Sequence, residues 1–209
     1  CGPGRMKREQ PGPAAFAAGP LRAFAPARGR PPREKQQKGE TSMIKTVGVV
    51  SLSSGTLGEA FARHELELGV ARLKHYGLRV EFLPHALKGV EYVKAHPERR
   101  AADLLEAFRD PEIDLVLCAI GGDDTYRLLP YLFGEGQLEK AVRQKPFLGF
   151  SDTTVNHLML HKAGLSTFYG QAFLPDVCEL DREMLPYTRH YFEELLRTGT
   201  IRQVRPSEV

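Results

Sequence analysis

The sequence predicts an α/β fold, a doubly wound and mostly parallel sheet with helices on both faces. Three observations carry this. Short apolar runs of strand length alternate with longer segments of helical spacing, the pattern of strand–helix–strand crossovers. The most apolar run, Leu115–Ile120, shows no polar alternation, as expected of a strand buried on both faces. It ends in Gly121-Gly122 and passes at once into a helix-like stretch, the turn that puts ligands at the carboxyl end of a parallel strand.

Taken in order, Thr46–Leu52 (TVGVVSL) reads as a first buried strand running into the loop SSGTLGE. Glu59–Tyr76 follows with helical spacing, its apolar face drawn from Phe61, Leu66, Leu68, Val70, Leu73 and Tyr76, and Gly77 stops it. Leu78–Leu83 is a second strand, and His85–Ala95 is expected as loop with a short turn. Pro97 starts a helix over Glu98–Phe108 that Asp110-Pro111 ends. After the central strand come a helix over Tyr126–Leu132, a turn at Gly134–Gly136 and a short helix over Leu138–Arg143. Phe147–Phe150 is the fourth strand, followed by Ser151-Asp152-Thr153-Thr154, where Ser151 or Asp152 is placed to cap a helix ending near Ala163-Gly164. Thr167–Gly170 is a short fifth strand, Arg182–Arg197 a last helix with Pro186 in its first turn, and Thr200–Val209 an extended strand or linker.

The first 42 residues have a different composition. They hold seven of the 15 prolines and no Val or Ile, and nine Lys/Arg against three Glu give them a charge of +6. With the whole chain at +3, the remainder carries −3, so the pI of 8.8 describes the tail and the body offers no basic face for nucleic acid. A segment this poor in apolar residues is expected to be disordered. It lacks the apolar core of a secretory signal, its prolines oppose the amphipathic helix of a transit peptide, and Met43 is the natural start. No apolar run approaches the ~18 residues of a membrane span. Cys1, Cys118 and Cys178 have no metal-ligand spacing, which fits a reducing cytoplasm, and Cys118 reads as a small core residue.

Two strand ends, GGDDT and GFSDTT, carry small polar residues and can converge on one crevice. Together, IGGDDTYRLLPYL and FLGFSDTTVNHLMLHKAGLSTFYG resemble the LD-carboxypeptidase family, which includes the microcin-immunity hydrolases; the match runs from about Thr46 to the end of the chain. The resemblance implies a glutamine-amidotransferase-like (flavodoxin-like) N-terminal domain over residues 43–199 that carries the nucleophile. It also implies a second domain, absent from this sequence beyond the 200–209 segment, that carries the Glu and His of a Ser–Glu–His triad. The implied reaction is hydrolysis of the bond between an L- and a D-amino acid in peptidoglycan peptides, or of an aminoacyl-nucleotide antibiotic, by a homodimer without cofactor.

The resemblance puts Thr125 at the nucleophile position, where the family pattern has serine after Gly-Gly-x-x, with the Gly122 and Tyr126 N–H groups as oxyanion donors. Asp123, Asp124, Ser151, Asp152 and Thr153 are candidates for binding substrate, set against turn and helix capping. His157 and His161 stand four apart but lack the Glu of HExxH, so they read as helix histidines and no metal site is expected. A Thr125–His157–Asp152 triad has poor geometry, since Asp152 and His157 lie on either side of a helix start. Two rivals remain: phosphoryl transfer through a GGDDT loop like that of phosphofructokinases, and a binding or immunity module that lost its serine.

Overall fold

The computed structural model describes residues 44–208, so the expectations for residues 1–42 lie outside the described residues. β1 (Thr46–Val50) pairs in parallel with β2 (Arg79–Phe82) on one side and β3 (Leu115–Cys118) on the other, and β4 (Phe147–Gly149) and β5 (Phe168–Tyr169) extend the sheet beyond β3. The order β2-β1-β3-β4-β5, all parallel, is the flavodoxin-like order that the family resemblance implies. The chain winds outward from β1 to β2 and then returns to β3 on the other side. The crevice at the carboxyl ends of β1 and β3 is therefore the switch point.

The helices are α1 (Arg63–His75), α2 (Val90–Ala95), α3 (Pro97–Arg109), α4 (Leu129–Phe133), α5 (Gln137–Ala141), α6 (Thr154–Lys162) and α7 (Pro186–Thr198). Strand alternation sorts the core into two layers. Val50, Val116 and Cys118 point to one face and pack with Leu104, Phe108, Leu132, Leu138 and Leu160 of α3–α6. Val47, Val49, Leu115 and Leu117 point to the other and pack with Leu73 of α1, Phe173, Val177 and Phe192 and Leu195 of α7. Both faces of the central strands are thus dry, which is why they lack polar alternation. Cys118 is wholly buried, and burial pushes its thiol far above the ordinary range, as befits a core residue.

Three departures from the sequence reading have physical causes. The first helix starts at Arg63, because Thr56–Gly58 and Ala60–Ala62 form 3-10 turns instead. There Gly55 and Gly58 lie so close to the Leu87 and Gly89 backbone that an added Cβ would fall 2.2–2.4 Å from it, and Phe61 is left 73% exposed. α2 was unreadable locally because its first N–H groups have no neighbouring cap. Glu59, 31 residues away, accepts from Val90 N–H at 2.7 Å. The stretch after the central strand splits into a 3-10 turn (Thr125–Leu128) and α4, since Pro130 has no N–H to continue a helix and fits only in a first turn. A π-helical turn at Phe173–Val177 was not foreseen. Residues 201–208 form no strand; Arg205 holds to α7 through Tyr187 Oη–H donating to its carbonyl and its own N–H donating to Tyr191 Oη.

Candidate active site

Three loops meet at the switch point: Ser51–Ser54 after β1, Ala119–Asp124 after β3, and Phe150–Thr153 after β4. Ser54 N–H donates to the Gly121 carbonyl at 3.2 Å, joining the first two. Neither Gly121 nor Gly122 has positive φ, contrary to the turn geometry that a Gly-Gly pair suggests. They are there for close approach. A Cβ on Gly121 would lie 2.8 Å from Ser151 Cβ, and one on Gly122 would lie 2.2 Å from Ser53 Oγ.

Thr125 does not present its hydroxyl to the crevice. The residue is 0% exposed, and Oγ1 lies 2.9 Å from both the Leu52 carbonyl and Asn156 Oδ1. Its one proton goes to either acceptor, and both lie in the interior. Its N–H donates to Asp152 Oδ2 at 2.9 Å. The expectation of a nucleophilic Thr125 facing the Gly122 and Tyr126 N–H groups is therefore corrected: the hydroxyl pins the β3 loop to β1 and α6. The Thr125–His157–Asp152 arrangement is absent as well.

The hydroxyl at the crevice belongs to Ser151. It is exposed and sits at φ +62, one of two non-glycine residues with positive φ among the described residues; the other, Glu135, lies in a surface turn. Left-handed backbone at a serine costs of order 1–3 kcal/mol and persists only where its surroundings enforce it. Here they do so densely. Ser151 N–H donates to Tyr169 Oη at 3.3 Å, Thr154 Oγ1–H to the Ser151 carbonyl at 2.5 Å, and Thr153 Oγ1–H to the Phe150 carbonyl at 2.7 Å. Thr154 Oγ1–H, shared between the Ser151 carbonyl and Tyr169 Oη at 3.4 Å, and Ser151 N–H hold the Tyr169 phenol below its usual range. This is a sharp, positive-φ strand-to-helix turn. Neither Ser151 nor Asp152 caps α6 through its side chain.

Of the other candidates, Asp123 is exposed at the crevice, whereas Asp124, Asp152 and Thr153 are committed inward. Asp124 accepts from Arg100 at 2.6 Å and Arg127 at 3.0 Å. Burial raises its carboxyl, but the two arginines outweigh that and hold it below the usual range. Arg100, 1% exposed and missed in the sequence, also donates to the Leu52 and Ser53 carbonyls at 3.1 and 3.2 Å, so one guanidinium braces the loops after β1 and β3. Asp152 is held by Ser53 Oγ–H at 2.5 Å. Thr153 is buried.

His157 is a structural histidine, as its spacing implied. Its Nε2 faces the Gly149 carbonyl at 2.9 Å and therefore carries the proton, and Nδ1 accepts from Thr167 Oγ1–H at 2.7 Å. Burial holds its pKa below the ordinary value. Because the folded value lies below the unfolded one of about 6.5, its contribution is complete above pH 6.5 and is lost as pH falls, with a slope of at most ~1.4 kcal/mol per pH unit. Denaturant titrations of the parent and His157→Gln from pH 7.5 to 5 should show a flatter acid limb in the variant; parallel limbs would remove His157 from the pH dependence. Among the described residues no cluster of three or more His, Cys, Asp or Glu is arranged to hold a metal ion.

The profile of the LD-carboxypeptidase N-terminal domain matches residues 47–170. The chain belongs to the LD-carboxypeptidase family. It is similar to the "Probable murein peptide carboxypeptidase" of Bacillus subtilis, 34% identical over 156 residues, covering 73% of this chain and 45% of the relative. The microcin C7 self-immunity protein MccF of Escherichia coli is 30% identical over 128 residues, 61% of this chain and 36% of its own length. A crystal structure of an MccF-like protein from Streptococcus pneumoniae in complex with AMP shares 64% identity at a TM-score of 0.78, covering 79% of this chain and 48% of that one. The chain thus spans about half the length or less of these LD-carboxypeptidase relatives. Family membership removes the phosphofructokinase-like reading, and so does Asp124, whose carboxylate is spent on two arginines.

Proposed function

We propose that this chain carries the nucleophile of a serine-type hydrolase, with Ser151 as the attacking group. The observation that supports this most is its exposed hydroxyl on a positive-φ strand-to-helix turn at the switch point. Ser151 Oγ attacks the scissile carbonyl, its proton passes to a general base, and the amine leaves with a proton; water then hydrolyses the acyl-serine. The N–H groups of Asp152, next after the nucleophile, and Gly122, across the crevice, are the proposed oxyanion donors. Among the described residues no imidazole or carboxylate hydrogen bonds to the Ser151 hydroxyl. The base is therefore proposed to be the Glu–His pair of a further domain, as the family resemblance implies.

The substrate class we favour is an L,D-peptide of peptidoglycan, after the murein peptide relative. A second class, an aminoacyl nucleotide, is favoured by the AMP held in the 64% identical MccF-like structure. The buried, unpaired Cys118 and Cys178 support a reducing cytoplasm, and no helix among the described residues is long and apolar enough to cross a membrane. A homodimer is proposed on the resemblance. Incubating the native protein that carries this chain with a muropeptide tetrapeptide and, in parallel, an aminoacyl sulfamoyl nucleoside should release the terminal D-amino acid or the free amino acid. Binding of either ligand with no turnover and no acyl-enzyme would overturn hydrolysis in favour of a binding module.

A further inference from the structure

The half-buried carboxylate of the residue after Ser151 is engaged by both neighbouring loops. Asp152 Oδ2 accepts from Ser53 Oγ–H at 2.5 Å and from Thr125 N–H at 2.9 Å. Ser53 belongs to the loop after β1 and Thr125 to the 3-10 turn after β3. One carboxylate oxygen therefore ties both loops bordering the switch point to the turn that carries Ser151. The loops pack closely: a Cβ on Gly122 would fall 2.2 Å from Ser53 Oγ, and one on Gly121 would fall 2.8 Å from Ser151 Cβ.

We infer that Asp152 and Ser53 form a positioning pair for the Ser151 hydroxyl. The pair sets the distance between that hydroxyl and the Gly122 N–H across the crevice, and with it the width of the notch that receives the developing oxyanion. The inference rests on the proposed role of Ser151. Three features support it. The Ser53 proton is directed at a carboxylate, so Ser53 serves as a tie and not as a second nucleophile. The acceptor is a charged oxygen with two donors, which makes both bonds stronger than neutral ones. Finally, Asp152 is covalently next to Ser151, so any rotation of its side chain is passed directly to the strained turn. Misplacing a reacting group by about 1 Å costs on the order of 100-fold in rate.

The test uses the native protein with Ser53→Ala, Ser53→Thr, Asp152→Asn and the double variant Ser53→Ala/Asp152→Asn. It follows kcat and KM, and the second-order rate of Ser151 phosphonylation by a small fluorophosphonate. Ser53→Ala and Asp152→Asn should each lower kcat by about 10–100-fold with KM nearly unchanged, and phosphonylation should fall in step. The double variant should be no worse than the poorer single, because both changes break one unit. Ser53→Thr, which restores the hydroxyl, should recover most of the rate. A purely structural pair would shift the melting midpoint and leave kcat of the folded protein at the parent value, and that result overturns the inference. If Asp152→Asn does not fold, Ser53→Ala and its threonine rescue decide alone. Parent-level turnover by Ser151→Ala would overturn both this inference and the nucleophile assignment; loss in Ser151→Ala with parent-level kcat in Ser53→Ala would overturn the inference only.

Discussion

Ser151→Ala is expected to lower hydrolysis by the native protein by about 10⁴–10⁶-fold, the loss typical of removing a nucleophile that acts with a base as a unit. KM should change little, because the remaining crevice still binds substrate. Thr125→Ala should behave differently. Its hydroxyl is buried against Leu52 and Asn156, so removing it leaves one interior acceptor short of a donor and costs stability, on the order of 1–3 kcal/mol. Turnover by the folded Thr125→Ala protein should stay within about tenfold of the parent, a barrier change of ~1.4 kcal/mol. The two alanine variants thus separate the hydroxyl that does chemistry from the one that holds a loop. Equal activity in parent and Ser151→Ala would contradict the assignment, whatever Thr125→Ala does.

The second large effect is on folding. Arg100→Met should destabilise the chain by about 3 kcal/mol, at the low end of the cost of breaking a buried ion pair because Arg127 remains on Asp124. For a domain of this size that is roughly 6–12 °C in melting midpoint. Methionine fills much of the volume, so the loss comes from Asp124 and the Leu52 and Ser53 carbonyls left without their donor. Arg100→Lys should recover little of it, since an ammonium cannot reach a carboxylate and two carbonyls in the fixed fork of a guanidinium. A shift below about 0.5 kcal/mol in thermal or urea unfolding, the range of ordinary surface substitutions, would mean that the loops after β1 and β3 are held without it.

The architecture was legible because it depends on local signals. Five apolar runs, the intervening helical spacing and the Gly and Pro stops are visible one segment at a time, and the parallel order follows from their alternation. The crevice was legible for the same reason, as two small-residue loops following strands. What the sequence concealed is which way each polar side chain turns. GGDDT and GFSDTT look equivalent as strings, and the choice between Thr125 and Ser151 rests on contacts made over 31 to 73 residues, from Thr125 to Asn156 and to Leu52. Gly149-Phe150-Ser151-Asp152 on a strand-to-helix turn was the one local hint, being most of the G-x-S-x-G pattern of nucleophile elbows. Ser53 and Arg100 gave no hint at all, since a serine in a loop and an arginine in an amphipathic helix are ordinary surface residues until the fold buries them. The Gly-Gly pair could be read both for positive φ and for close approach, and only the second holds: it lets Ser53 and Ser151 come near.

The most direct test of the central claim is to map the covalent site. The native protein is treated with a fluorophosphonate, digested, and read by tandem mass spectrometry for the phosphonylated residue. The account predicts one adduct, on Ser151 within the peptide that contains Gly149–Thr154, formed in parallel with loss of hydrolysis and absent from Ser151→Ala. An adduct on Thr125, or full inactivation with Ser151 unmodified, would contradict it.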